Sequence, residues 1–354
     1  MILGPRILLE ANAQDLAGLI PRTSIERMKR CLAVLPHTPG VILEFPLAGR
    51  PRAADLTIWL SEPKQGREMS KLLREACLMK DPGWRHTART VECWAGRRRS
   101  ARESHLFFEF DLPPDRDLPR DRRSFDPPGV GFNTGGFGSR AVLNRIEALH
   151  PGRMGRETRT EVQRILRHPG AYERLVHAGV MSGRRPPVVK LFLSLEKTES
   201  PGTFLQGLGW PGDLDRVEDF LEPLRTRCEA RVVDVAVGPA GVSPHFGMEC
   251  YPVKAKPTRL VPQWRRSLDR LVEAGLCPEK KAERLGAWPR LDRIELLAQL
   301  GISRSLNHIK LVVDEHGRGW AKAYINLFLV WAGPVDGSGQ LPFDELGEHA
   351  RLSR

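Results

Sequence analysis

Three short spacings could do chemistry in this chain: Lys190-x-Phe192, His308-x-Lys310 and Lys322-x-Tyr324. Successive side chains of a β-strand point to opposite faces, so residues two apart share one face. Each pair therefore sets a basic group beside an aromatic ring or a second base. Ammonium groups stabilise bound anions, and aromatic faces stabilise cations. A surface hairpin could carry one such pair by accident, so the elements that would position them matter.

The last two pairs lie on a predicted hairpin, Leu306–Asp314 and Ala321–Val330, joined by a turn at Glu315–Gly319. One face carries His308, Lys310, Lys322, Tyr324 and Asn326, and the other is aliphatic. The pattern recurs. Val188–Lys197 sets Lys190, Phe192, Ser194 and Glu196 against Val189, Leu191, Leu193 and Leu195. In 245–252, Glu249 and Tyr251 oppose Met248 and Cys250. In 41–47, Glu44 opposes Leu43 and Phe45. Asp55, Thr57 and Trp59 share a face in 55–61, and His105, Phe107, Glu109 and Asp111 share one in 105–112. One-faced sheets normally solvate their polar face, yet these polar faces are rich in aromatics. That mixture suits an enclosed polar site.

Between the strands the chain reads as helical. Amphipathic or charged segments are expected at Ala13–Leu35, Lys64–Lys80, Thr87–Arg98, Ser139–His150 and Arg156–Ala178, with Pro151–Gly152 as a break. Further helices are expected from Asp213, a suitable N-cap, to Arg227, and at 262–274, 278–286 and Arg290–Leu300. Returning strands are expected within Gly129–Gly138 and at Thr203–Leu208, the latter paired with 188–197. A strand at 231–237 completes the set. Helix followed by two strands, repeated about five times, gives an α+β fold. About ten antiparallel strands close into a barrel, with helices covering its aliphatic outer face. The expected organisation is one domain over 1–354, with a Pro/Arg-rich loop at 113–128 and a polar tail at 333–354.

The chain has 354 residues, 41% hydrophobic and 28% charged, enough for a sizeable core. No run of about 18 apolar residues predicts a membrane span, and the N-terminus lacks a secretory pattern. Six cysteines without metal spacing fit a cytoplasmic protein with reduced thiols. The net charge of +12 comes from arginines scattered through helices and loops. With no helix-turn-helix, zinc finger or RNA-binding signature beside them, a nucleic-acid partner is not expected.

With the units and the three pairs in place, the chain resembles the ABBA-fold soluble aromatic prenyltransferases. That resemblance implies a ten-stranded barrel whose lumen binds an allylic prenyl diphosphate beside an electron-rich acceptor, a small aromatic molecule or a peptide. Ionisation of such a diphosphate leaves an anion and an allylic cation. Lys190, Lys310 and Lys322 then become the diphosphate ligands, with Tyr251 and Tyr324 offering hydroxyls to the phosphate and π-faces to the cation. Trp59, Phe107, Phe192, His308 and Glu249 would line the prenyl or acceptor pocket. Glu44 and Glu109 would orient the acceptor and take its proton. No cofactor is required on this reading. Mg2+ is possible, but Asp115–Asp121 is an Arg-dense, Pro-interrupted loop rather than an Asp-rich magnesium motif.

Blander readings stand beside these. Lys190 and Lys322 could guard a sheet edge, Tyr251 and Tyr324 could be core aromatics, and Glu44 and Glu109 could pair with arginine. At the level of the whole protein, the alternatives are a non-catalytic barrel binding a peptide or anionic metabolite, and a basic nucleic-acid-associated protein.

Overall fold

The computed structural model describes residues 5–49, 54–75, 80–96, 105–112, 126–135, 137–196, 199–225, 230–251, 257–293, 300–314 and 318–331. Most of the 113–128 loop and all of the 333–354 tail lie outside these residues.

The chain builds five successive units of helices followed by a strand pair. Helices α1 (Pro5–Ala11), α2 (Ala13–Leu16) and α3 (Arg22–Leu32) precede strands β1 (Gly40–Pro46) and β2 (Asp55–Leu60). Next come α4 (Pro63–Glu75) and α5 (Pro82–Gly96) with β3 (Leu106–Phe110) and β4 (Gly129–Asn133). The third unit is α6 (Ser139–Leu149), α7 (Arg156–Arg167), β5 (Leu175–Met181) and β6 (Val188–Leu195). The fourth is α8 (Pro201–Gly207), α9 (Leu214–Arg225), β7 (Ala230–Gly238) and β8 (Gly241–Tyr251). In the last unit α10 (Pro257–Glu273) and α11 (Glu279–Gly286) lead through β9 (Arg290–Arg293) to β10 (Leu300–Val313) and β11 (Gly319–Trp331).

Every strand pairing is antiparallel, and β11 pairs with both β1 and β10. The sheet therefore closes into a ten-stranded barrel, and β9 is an eleventh strand laid beside β10. Closure removes the free sheet edges that would otherwise invite aggregation. The two faces differ as their alternation predicts. Leu43, Phe45, Ile58, Phe108, Leu191 and Leu311 point outward and are buried beneath the helices. The helices supply matching stripes: α5 buries Trp84, Ala88, Val91 and Ala95, and α3 buries Ile25, Met28 and Leu32.

Local chemistry sets the boundaries. Asp213 Oδ1 accepts from the Arg216 amide at 3.2 Å and caps α9. Gly152 adopts φ +103° between α6 and α7, a conformation that an L side chain strains to reach.

Four expectations are corrected. The helix read over Arg156–Ala178 stops at Arg167, because Pro169 and Gly170 (φ +75°) break it, and Leu175–Met181 becomes a strand. That strand is the true partner of β6. Thr203–Leu208 consequently is not a strand: α8 runs from Pro201 to Gly207, capped by Ser200, whose hydroxyl accepts from the Thr203 amide at 3.1 Å. The segment read as a helix over Arg290–Leu300 begins as β9. There β10 outruns its pairing with β8, which spans Ile309–Val313, and β9 takes up Gly301–Arg304. The single amphipathic segment at Ala13–Leu35 is divided at Pro21 into α2 and α3.

A polar lumen of paired charges

The inward face can be followed around the barrel through its cross-strand partners. Glu44 on β1 lies opposite Asp55 on β2 and Tyr324 on β11. Thr57 and Trp59 lie opposite Glu109 and Phe107, which face Gly129 and Gly131 on β4. Gly131 faces Gly179, Gly179 faces Lys190, and Phe192 faces both His177 and Asp234. Glu249 faces Lys310, which faces Lys322. All twelve residues singled out in the sequence lie on this inner face.

Charge pairing organises the lumen. Lys190 Nζ donates to Glu109 Oε1 at 3.0 Å and lies 3.7 Å from Asp234 Oδ2. Lys310 donates to the same Asp234 oxygen and stands 3.7 Å from Glu249 Oε1. Lys322 donates to Glu44. At the rim, Arg184 binds Asp111 at 3.0 Å and approaches Glu109 at 3.8 Å. Buried charges persist only when paired in this way.

The pairing sets the protonation states. Burial works against ionised Glu44, yet the ammonium groups of Lys322, Lys310 and Lys190 hold its carboxyl well below the usual range. Asp234 is likewise lowered, with Lys310 and Lys190 outweighing burial. Burial, with Glu44 beside it, pushes Asp55 up to about 8. Burial also raises Glu249. Against burial, the surrounding carboxylates raise Lys310 (Asp234 first) and Lys322 (Glu44 first). Burial lowers His177 to about 4 and, with Lys310 adding to it, His308 to about 3, so both imidazoles are neutral.

Aromatic rings fill the space between the charges. His308 stacks on Tyr324 with centroids 3.9 Å apart and meets Tyr251 at 4.8 Å. The Tyr251 hydroxyl donates to Glu249 Oε2 at 2.8 Å. His177 sits edge-on to Phe107 and Phe192, and Trp59 packs on Phe328 at 4.9 Å. Lys310 and Lys190 lie 5.6 and 5.9 Å from the Phe192 ring centroid, within cation–π range. A narrow gap of about 10 Å³, the room of a single water, lies along Phe107, Glu109, Gly131, Gly179, Lys190 and Phe192. The strand glycines make this wall possible, since a Cβ on Gly131 would lie 2.1 Å from the Phe107 ring.

Four polar residues of this region were not picked out as site residues in the sequence. Asp55 carried a signal, because it alternates in phase with Thr57 and Trp59. Asp234 is a lone carboxylate in the apolar run Val232–Val237, which itself marks a buried charge in need of a partner. His177 was hidden by the helical reading of its strand. Arg184 belongs to a turn, and no periodicity points to it.

No protein-family model and no curated protein matches the chain. Solved structures do. That of 5-dimethylallyltryptophan synthase from Streptomyces coelicolor gives a TM-score of 0.55 at 12% identity, over 92% of this chain and 97% of that one. The NotF prenyltransferase structure gives 0.50 at 12% identity, over 90% and 91%. The chain thus has the ABBA fold, the helix-wrapped ten-stranded barrel of the soluble aromatic prenyltransferases.

Proposed function

We propose that this protein transfers a prenyl group from an allylic diphosphate to an aromatic or other nucleophilic acceptor, a small molecule or a peptide. The observation that carries the reading is the convergence of Lys190, Lys310 and Lys322, from three strands, with Tyr251 and Tyr324 in the lumen of an ABBA barrel. The prenyl C1–O bond breaks with its electron pair leaving on the diphosphate, whose charge the lysines offset. Tyr251, Tyr324 and the neighbouring rings face the allylic cation. The acceptor atom then bonds to C1 and gives up its proton. Glu44, held ionised, accepts a hydrogen bond from the acceptor, and Glu109 is the second carboxylate available for the proton. The lysines do the work that Mg2+ would otherwise do, so no metal is required. A cytoplasmic location fits this chemistry, and no helix among the described residues is long and apolar enough to cross a membrane.

A second reading has its own support. Each of the three lysines already bonds a carboxylate, as a barrel that binds a ligand without catalysis would allow. Calorimetric titration with dimethylallyl, geranyl and farnesyl diphosphates separates the two. Micromolar binding that Lys190→Ala/Lys322→Ala abolishes supports transfer. A folded protein that binds none of the three supports the non-catalytic barrel.

A further inference from the structure

The wall formed by β8 and β10 holds one buried acceptor without a donor among the described residues, His308 Nε2, with a carboxylate oxygen beside it. A bulge in β10 between Leu306 and His308 brings Asn307 in beside the lumen face. There Asn326 Nδ2 donates to Ser305 Oγ at 3.0 Å, and Asn307 Nδ2 donates to Asn326 Oδ1 at 3.0 Å. This relay leaves Asn307 Oδ1 as an acceptor, 3.0 Å from His308 Nδ1. With that oxygen accepting, the proton of the neutral ring sits on Nδ1 and Nε2 presents a lone pair. His308 is 5% exposed, and Nε2 has no hydrogen-bond partner among the described residues.

The nearest charged oxygen is Glu249 Oε1, 3.7 Å from Nε2. Its sister oxygen takes the Tyr251 hydroxyl, whereas among the described residues Oε1 has only the 3.7 Å contacts to His308 and to Lys310, whose own hydrogen bond goes to Asp234. A lone pair and a carboxylate oxygen at this separation repel each other unless a donor sits between them. A buried acceptor left unsatisfied, here Nε2, is costly, and an occupant with two N–H groups would satisfy it and reach Oε1 as well.

The charge balance names the kind of donor. On the inner face of the described strands, five carboxyl groups (Glu44, Asp55, Glu109, Asp234 and Glu249) stand against three ammonium groups. With Asp55 protonated and Glu249 ionised, four carboxylates face three ammonium groups. An ammonium beside Glu249, on the side of that carboxylate away from the three lysines' hydrogen bonds, offsets the local excess.

We propose that His308 Nε2 and Glu249 Oε1 form a subsite for an organic ammonium, the amino group of the acceptor molecule. Asn307 acts as a positioning residue that sets the imidazole tautomer. The inference rests on the reading above only in placing an aromatic acceptor in the lumen.

The test is calorimetric binding of tyramine against 4-ethylphenol and of tryptamine against 3-ethylindole, without any prenyl diphosphate. The amines are expected to bind about tenfold more tightly than their counterparts. Glu249→Gln and His308→Phe should each erase that preference while circular dichroism reports a folded protein. If Glu249→Gln does not fold, Glu249→Asp, which withdraws the carboxylate, replaces it. Nitrogen NMR of labelled histidine should show a proton on His308 Nδ1 and a shift at Nε2 when an amine binds. Equal affinities within each pair, no amine binding at about 1 mM, a preference that survives both substitutions, or a proton on Nε2 would each overturn the proposal. Loss of diphosphate binding or of transfer would count against the prenyl reading alone, because neither enters this measurement.

Discussion

Lys310 stands directly opposite Lys322 in the β10–β11 ladder, and their ammonium groups turn to different carboxylates, Asp234 and Glu44. Like charges directly opposite on a sheet destabilise it. Here each is neutralised by a carboxylate from a different strand, β7 for one and β1 for the other. The lumen is thus a closed electrostatic circuit, with consequences for stability and for binding.

Breaking one buried pair should cost more than removing it whole. Lys310→Met or Asp234→Leu alone leaves a buried charge and should lower unfolding free energy by about 3–5 kcal/mol. The double variant should recover most of that loss. Urea unfolding of the four proteins reads the cycle; a double variant as unstable as the worse single one would contradict it.

Two lumen glycines should resist any side chain. A Cβ on Gly247 would meet Lys310 Cε at 2.2 Å, and one on Gly131 the Phe107 ring at 2.1 Å. Gly247→Ala and Gly131→Ala should each cost about 1–3 kcal/mol through displaced neighbours. Gly96, at the end of α5, has nothing within 4 Å of its added Cβ, so Gly96→Ala should be neutral or mildly stabilising. Thermal midpoints of the three variants provide the comparison.

Stability should fall as pH rises from about 6.5 to about 8. Asp55 holds its proton up to about 8 in the folded state and loses it near the ordinary aspartate value when unfolded. The native state therefore binds the extra proton in this window. His177 and His308, lowered in the fold, act oppositely, but only below about 6.5. Urea midpoints at the two pH values should differ in the wild type and less in Asp55→Asn. An unchanged slope in the variant would show that Asp55 is not the group responsible.

Freeing one lysine should strengthen anion binding at the expense of transfer. Glu44→Gln releases Lys322 from its carboxylate, so affinity for dimethylallyl diphosphate should rise about tenfold, the worth of one charge-assisted hydrogen bond. On the proposed mechanism the same change removes an acceptor-orienting carboxylate, and turnover should drop. Weaker diphosphate binding in Glu44→Gln would place the anion away from Lys322.

How much of this was legible in the chain follows from the range of each interaction. Alternation along a strand is local, so the sequence alone assigned Glu44, Glu109, Lys190, Lys310, Lys322 and Tyr324 to one class of face. The recurrence of helix and paired strands then implied a closed barrel. Proline and glycine punctuation near 169–170 is equally local, and it ends α7 ahead of β5, which carries His177. Partnership is different. That Lys310 meets Asp234, 76 residues away, or Lys322 meets Glu44, 278 residues away, depends on barrel closure and register. The β10 bulge that seats Asn307 beside His308 has no periodic signature. Composition and period determined which residues face inward, because side-chain direction is a property of the single strand. Only the tertiary structure decided which charges neutralise one another and which acceptors are left open, because Coulomb energy and hydrogen bonding depend on distances that closure alone sets.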